Sequence, residues 1–176
     1  MVYFALTDES GAFTLANLSS LGQYKKAFGI SILYAAVATL VTLVLAYPMA
    51  YFMTRLNVSS QRMLFMIVMI PMWMNFLIRT YSWITILANT GLINTFLTNI
   101  GLKPLKLINT PGAVILGMVY DFIPYMILPI YSVMSKLDRS LLEAAEDLGS
   151  NSFAKFKRVI FPLSRPGVIS GITMVF

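Results

Sequence analysis

Four long apolar runs alternate with shorter polar stretches along this chain. Run A extends from about Ala27 to Met53 and is rich in Ala, Val and Leu, with Pro48 marking a kink near its inner end. A short loop flanked by Arg55 and Arg62 leads to run B, about Met63 to Ile78, which holds Pro71 in its middle. Residues 84–111 are apolar only in pieces, broken by Gly91, Asn94, Asn99, Gly101 and Pro104. They predict one short surface helix near 82–88 and another near 92–100. Run C covers about Gly112 to Met134 and is interrupted by Asp121, Pro124 and Pro129; a polar segment, Ser135 to Arg158, separates it from run D, which begins near Val159. Crossing a hydrocarbon core takes about 20 helical residues, and the four runs reach or approach that length. They lack the polar face of period 3.6 that a soluble bundle would show. The pattern predicts an all-α polytopic membrane protein, a single domain over 1–176 with helices at 27–53, 63–78, 112–134 and 159–176.

Composition agrees: 58% of the 176 residues are hydrophobic and 11% charged, against about a quarter charged in soluble domains. The chain has no cysteine and no histidine, which removes Cys and His nucleophiles, histidine bases and thiolate or imidazole metal sites. No G-x-x-x-x-G-K-[ST] sequence is present, so the chain does not itself cradle nucleotide phosphates. The net charge of +6 is scattered among loops rather than gathered in a stripe, which points to orientation in a membrane rather than to nucleic acid. Loops 54–62 and 135–158 hold seven Lys and Arg; the longer stretches 1–26 and 79–111 hold five. The positive-inside rule places the first pair in the cytoplasm. Arg79, Tyr81 and Trp83 then read as an interfacial belt on the opposite side.

Residues 1–26 carry Asp8, Glu9 and a Gly11 turn signal, without the basic and apolar regions of a signal peptide. Placed outside, they require a preceding helix to carry them across. Run D is still apolar at Phe176. Both ends lead to the expectation of a fragment of a longer polytopic protein.

The segment Glu143-Ala144-Ala145-Glu146-Asp147-Leu148-Gly149 stands out as polar among greasy neighbours. Ser140-x-x-Glu143 matches a capping box. The helix it opens would line Leu141, Ala144, Ala145 and Leu148 along one apolar stripe. Gly149 sits where a left-handed residue ends a helix, and Ser150, Asn151 and Ser152 offer a cap for a second one. That second helix would carry Phe153 and Phe156 on one side and Lys155, Lys157 and Arg158 on the other, along the membrane surface. Two readings stand on this physics: a solvated loop with ordinary caps, or a docking element whose small Ala144 and Ala145 let a partner approach the backbone.

The whole spacing, E-A-A, three residues, G, nine residues, I-x-L-P, resembles the signature of permease subunits of bacterial ABC importers. Here it reads Glu143-Ala144-Ala145, Gly149 and Pro162, with Val159 and Phe161 standing for the isoleucine and leucine. Pro71-Met72-Trp73-Met74-Asn75, Leu77-Ile78-Arg79-Thr80-Tyr81-Ser82-Trp83, Gly91-Leu92-Ile93-Asn94 and Pro124…Leu128-Pro129-Ile130-Tyr131 are similar to the polyamine branch, and to the first of its two spermidine/putrescine permease subunits. Branches for iron, sulfate and other small solutes share parts of the pattern.

The resemblance implies a type I ABC importer permease fold in the bacterial cytoplasmic membrane, with 135–158 as a cytoplasmic coupling loop. Its partners would be cytoplasmic ATPase subunits, a second related permease forming a heterodimer, an extracytoplasmic substrate-binding protein and lipid. ATP and Mg²⁺ would be bound by the ATPase, so this chain would be no enzyme and hold no cofactor or metal of its own. Glu143, Ala144, Ala145 and Gly149 would form the ATPase-docking coupling helix, and Gly149→Asp would uncouple ATP use from uptake. Asp121, about 13 Å of helix into run C, is the candidate pathway residue, because an intramembrane carboxylate faces a cavity or a partner charge. A polyamine would suit it, with Trp73, Tyr120 and Tyr125 adding cation–π contacts. The competing reading pairs Asp121 with Arg79, another subunit or water.

Overall fold

A computed structural model describes residues 24–147 and 149–176. Asp8, Glu9, Gly11 and Leu148 lie outside the described residues. The chain divides into two units, 1–34 and 35–176. The first contributes the opening turns of helix α1 (Lys25–Arg55); the second holds the rest of α1 and every later element.

These later elements are α2 (Val58–Trp73), α3 (Phe76–Leu87), α4 (Leu92–Asn99), α5 (Pro111–Met134), α6 (Arg139–Asp147), α7 (Ser152–Lys155), a π turn (Phe156–Ile160) and α8 (Phe161–Val175). All regular structure among the described residues is helical. By length and composition, α1 and α5 are each able to cross a membrane alone. Runs A and C therefore became helices within two residues of the expected bounds.

Run B did not become one straight helix ending at Ile78. Asn57 caps α2 six residues before the run begins, its Oδ1 accepting the Ser60 N–H at 2.9 Å. The helix stops at Trp73, where Met74 turns extended (φ −73°, ψ 141°) and Asn75 caps α3 through the Leu77 N–H at 2.8 Å. The α2 arm and the arm that follows it, Phe76–Asn99, meet at 94°. Pro71, two residues from the end of α2, gives no N–H to its ladder, and an asparagine cap restarts the next helix more readily than it extends this one.

Beyond the corner, buried Asn94 ties α4 to the short linker that joins it to α3 and to the loop that follows. Its Nδ2 donates to the carbonyls of Leu105 and Ala88 at 2.9 and 3.2 Å, and its Oδ1 accepts the Leu105 N–H at 2.8 Å. An amide satisfied three times over costs little to bury.

The core joins Ala46, Ala50 and Met53 of α1 to Met126, Ile127, Ile130 and Met134 of α5, with Ile160 and Val175. Lipid is as apolar as these side chains, so close approach of helices, not burial from water, holds a membrane bundle. Small residues supply it. On α8, Ser164, Gly167 and Gly171 form a buried stripe. A Cβ at Gly167 would stand 2.7 Å from the Pro129 carbonyl oxygen and 3.0 Å from the Ile130 Cα, so α8 lies backbone to backbone on α5.

Candidate functional site

Two places gather the residues singled out in the sequence: the helix–glycine–helix segment and the corner between α2 and α3.

In the first, α6 is capped by Asp138, not by Ser140. Asp138 Oδ1 accepts the Ser140 N–H at 2.9 Å, and its carbonyl accepts that of Leu141 at 3.3 Å. Ser140 is therefore already inside the first turn. A charged acceptor two residues upstream outcompetes a hydroxyl for the same orphan donors. Leu141 of the expected stripe is 49% exposed, while its neighbour Leu142 packs on the core. The backbone of Glu143, Ala144 and Ala145 runs through the middle of α6.

The hydrogen bonds from the Ser140 backbone N–H and hydroxyl hold the Asp138 carboxyl below the usual aspartate range. A group whose pKa is depressed by folding stabilises the fold above its unfolded value and loses that contribution as pH falls through the folded one. Acidifying the full-length protein below the ordinary aspartate range, about 3.9, is therefore expected to speed hydrogen exchange at the Ser140 and Leu141 amides, after correction for intrinsic rates. Asp138→Asn, still a good cap, is expected to remove that pH dependence, and Asp138→Ala to give fast exchange at every pH.

The segment then turns as the glycine predicted. Gly149 has φ +75°, and the Ser150 N–H closes back on the Ala145 carbonyl at 3.0 Å, the wide bond of a Schellman ending. Asn151 caps the next helix, accepting the Ala154 N–H at 2.8 Å.

Phe153 and Phe156 part company, contrary to the shared face expected of them. Phe153 is 71% exposed, whereas Phe156 opens the π turn and lies against Tyr47 and Tyr51 of α1, edge to face, at 5.7 and 6.4 Å. It also meets Phe161 of α8. The Tyr47 hydroxyl bonds Ser164 Oγ at 2.8 Å. The π turn precedes Pro162, which has no N–H to offer, and the Phe161 N–H reaches back five residues to Phe156 instead. Tyr47 and Tyr51 escaped sequence reasoning; their four-residue spacing across Pro48 was the available signal.

At the corner, Arg79 is not a free interfacial anchor. Its Nε stands 3.0 Å from Asp121 Oδ1, and its Nη1 donates to the Pro71 carbonyl at 3.0 Å. Trp83 also turns toward α5, edge to face with Tyr120 at 5.2 Å. Of the candidate pathway residues, Asp121 is thus engaged by Arg79, and Tyr120 approaches Met74 Sδ at 4.0 Å. Trp73 is 87% exposed, and Tyr125 lies beside Phe122. A groove of 380 Å³ lies elsewhere, lined by Val58, Gln61, Arg62, Phe65, Met66 and Tyr131; none of those four residues borders it.

Comparison with known proteins gives the following. The family model of binding-protein-dependent transport system inner membrane components matches residues 38–176. The chain is 40% identical over 166 residues to the spermidine/putrescine transport system permease protein PotB of Haemophilus influenzae, covering 92% of this chain and 58% of that protein. It is 41% identical over 167 residues to PotB of Escherichia coli, covering 93% and 61%. It is 33% identical over 156 residues to the inner membrane ABC transporter permease protein YdcU of E. coli, covering 81% and 50%. The chain thus spans about three-fifths of the length of the PotB proteins it matches. Among solved structures, that of a bacterial alginate ABC transporter in complex with alginate pentasaccharide-bound periplasmic protein aligns with a TM-score of 0.69 at 15% identity, covering 80% of this chain and 51% of that one. That likeness bears out the expected helical permease fold.

Proposed function

The chain belongs to the binding-protein-dependent transport system inner membrane components, and from that membership we propose that it is a permease subunit of an ATP-driven importer that carries spermidine and putrescine into the cytoplasm. Membership makes it a membrane transport component rather than an enzyme. The observation that carries the substrate is the identity of about two residues in five with the two PotB proteins, over more than nine-tenths of this chain. A second reading, import of another small solute, draws on the likeness to YdcU, whose name specifies none.

In this proposal two cytoplasmic ATPase subunits bind ATP and Mg²⁺, a second, related permease completes the pathway, and a soluble binding protein delivers solute outside. The chain holds no cofactor and performs no covalent step; it converts a displacement at one face into an opening at the other. The ATPase docks on α6 and its glycine bend, where Glu143, Ala144 and Ala145 sit, and the exposed side chains of Leu141 and Phe153 offer apolar contacts. A contiguous set of packed groups leads away from there. Phe156 bears on α1 and α8, Gly167 and Gly171 seat α8 on α5, and α5 carries Asp121 to Arg79.

The test compares radiolabelled uptake of spermidine, putrescine, iron and sulfate by cells lacking the full-length gene and by cells with it restored. Loss and rescue confined to polyamines is the expected result. Loss of another solute instead would replace the substrate and leave the importer.

A further inference from the structure

An unbroken helix would give the Pro71 carbonyl the N–H of Asn75. Extended Met74 ends that ladder, and the acceptor is taken by a side chain from the next helix, Arg79 Nη1, at 3.0 Å. The same guanidinium meets Asp121 of α5 through Nε at 3.0 Å and lies over the Phe76 ring at 5.9 Å. One residue of α3 therefore holds the end of α2, the start of its own helix and the middle of α5. Arginine suits this place because its fork fixes several donors in one plane, while a lysine ammonium is a single point of charge. The side chains of Arg79 and Asp121 are 16% and 28% exposed. A charge there without its partner is poorly hydrated and costly.

We propose that Arg79 is a positioning residue that sets the angle between α2 and α3 and ties it to α5, so that α3 and the α4 that follows it move with α5 instead of swinging freely about Met74–Asn75. The ion pair alone would neutralise Asp121 at any corner angle; the added bond to Pro71 fixes one. The inference does not depend on which solute is carried.

The experiment uses the full-length permease with its partner subunits in lipid nanodiscs, cleared of any cysteine. Spin labels are placed at Met66→Cys on α2 and Ile84→Cys on α3, both exposed positions, and the distance between them is read by pulsed electron resonance. The parent is expected to give one narrow peak. Arg79→Lys, which keeps a cation for Asp121, is expected to retain the parent's thermal midpoint and yet widen the distribution at least two-fold. Asp121→Asn, which leaves the Pro71 bond possible, is expected to widen it less. Should Arg79→Gln fail to insert, the neutral pair Arg79→Gln with Asp121→Asn leaves no lone charge and is expected to insert with a wide distribution. A parent-like narrow peak in Arg79→Lys or in the neutral pair would overturn the proposal and reduce Arg79 to a counter-charge.

Discussion

Gly149→Val is expected to lower uptake about ten-fold while the importer still assembles and still hydrolyses ATP. Gly149 holds φ +75° at the bend between α6 and α7, and an added Cβ there would meet nothing within 4 Å. The cost of a side chain is therefore backbone strain alone, about 1–2 kcal/mol for an L-residue in the left-handed region and greatest for a β-branched one. About 1.4 kcal/mol is a ten-fold change in population, so most molecules would present α6 at another angle to the segment that follows. Phe156, which bears on both α1 and α8, would then receive the push in the wrong direction. Gly149→Asn is the control: asparagine enters the left-handed region readily and should keep most of the uptake. Gly149→Asp falls between the two, because it tolerates the backbone but adds a negative charge at the C-terminal end of α6, beside Asp147, where the helix dipole disfavours it. Uptake and ATPase activity measured on the same proteoliposomes check the series. Equal uptake by the valine and asparagine variants would remove the bend from the mechanism.

The elements legible in the sequence were those with local causes. Runs A and C follow from apolar length, and the Gly149 turn and Asn151 cap follow from residue types with few alternative uses. Elsewhere several local signals competed and the contest was settled in three dimensions. Hydropathy is continuous from Met63 to Ile78, so nothing apolar marks the break at Met74; only Asn75, after Pro71, hints at it. Asp138 and Ser140 both satisfy capping rules, and the carboxylate prevails. Phe153 and Phe156 share a face on an ideal helix, but the π turn before Pro162 accompanies their separation. Arg79 and Asp121 lie 42 positions apart in sequence. Each admitted several partners, and the corner alone chose between them.

The contact of α8 with α5 supports a sharper distinction between two glycines that the sequence presents as equals. Gly167 and Gly171 form a G-x-x-x-G pair, the spacing that lets helices approach closely in lipid. At Gly167 the two nearest obstacles to a Cβ are the Pro129 carbonyl oxygen and the Ile130 Cα, both backbone, with Val133 Cγ2 next at 3.1 Å. At Gly171 the nearest obstacle is Met126 Sδ, at 2.6 Å, with the Met126 carbonyl oxygen farther off at 3.3 Å. A methionine side chain has three rotatable bonds and moves aside at low cost, whereas two helix backbones part only by separating the helices. Gly167→Ala is therefore expected to destabilise the permease by about 1–3 kcal/mol, the usual range for overpacking, and Gly171→Ala by less than about 1.5 kcal/mol, as for swaps that repack. Thermal unfolding of the purified full-length permease in one detergent measures both. In cells, Gly167→Ala should also reduce the amount of permease in the membrane, since a shift of 1–2 kcal/mol changes abundance several-fold. The order matters more than either value: a larger loss at Gly171 would mean that Met126 is held rigidly and that the α5–α8 contact is centred one turn further along α8.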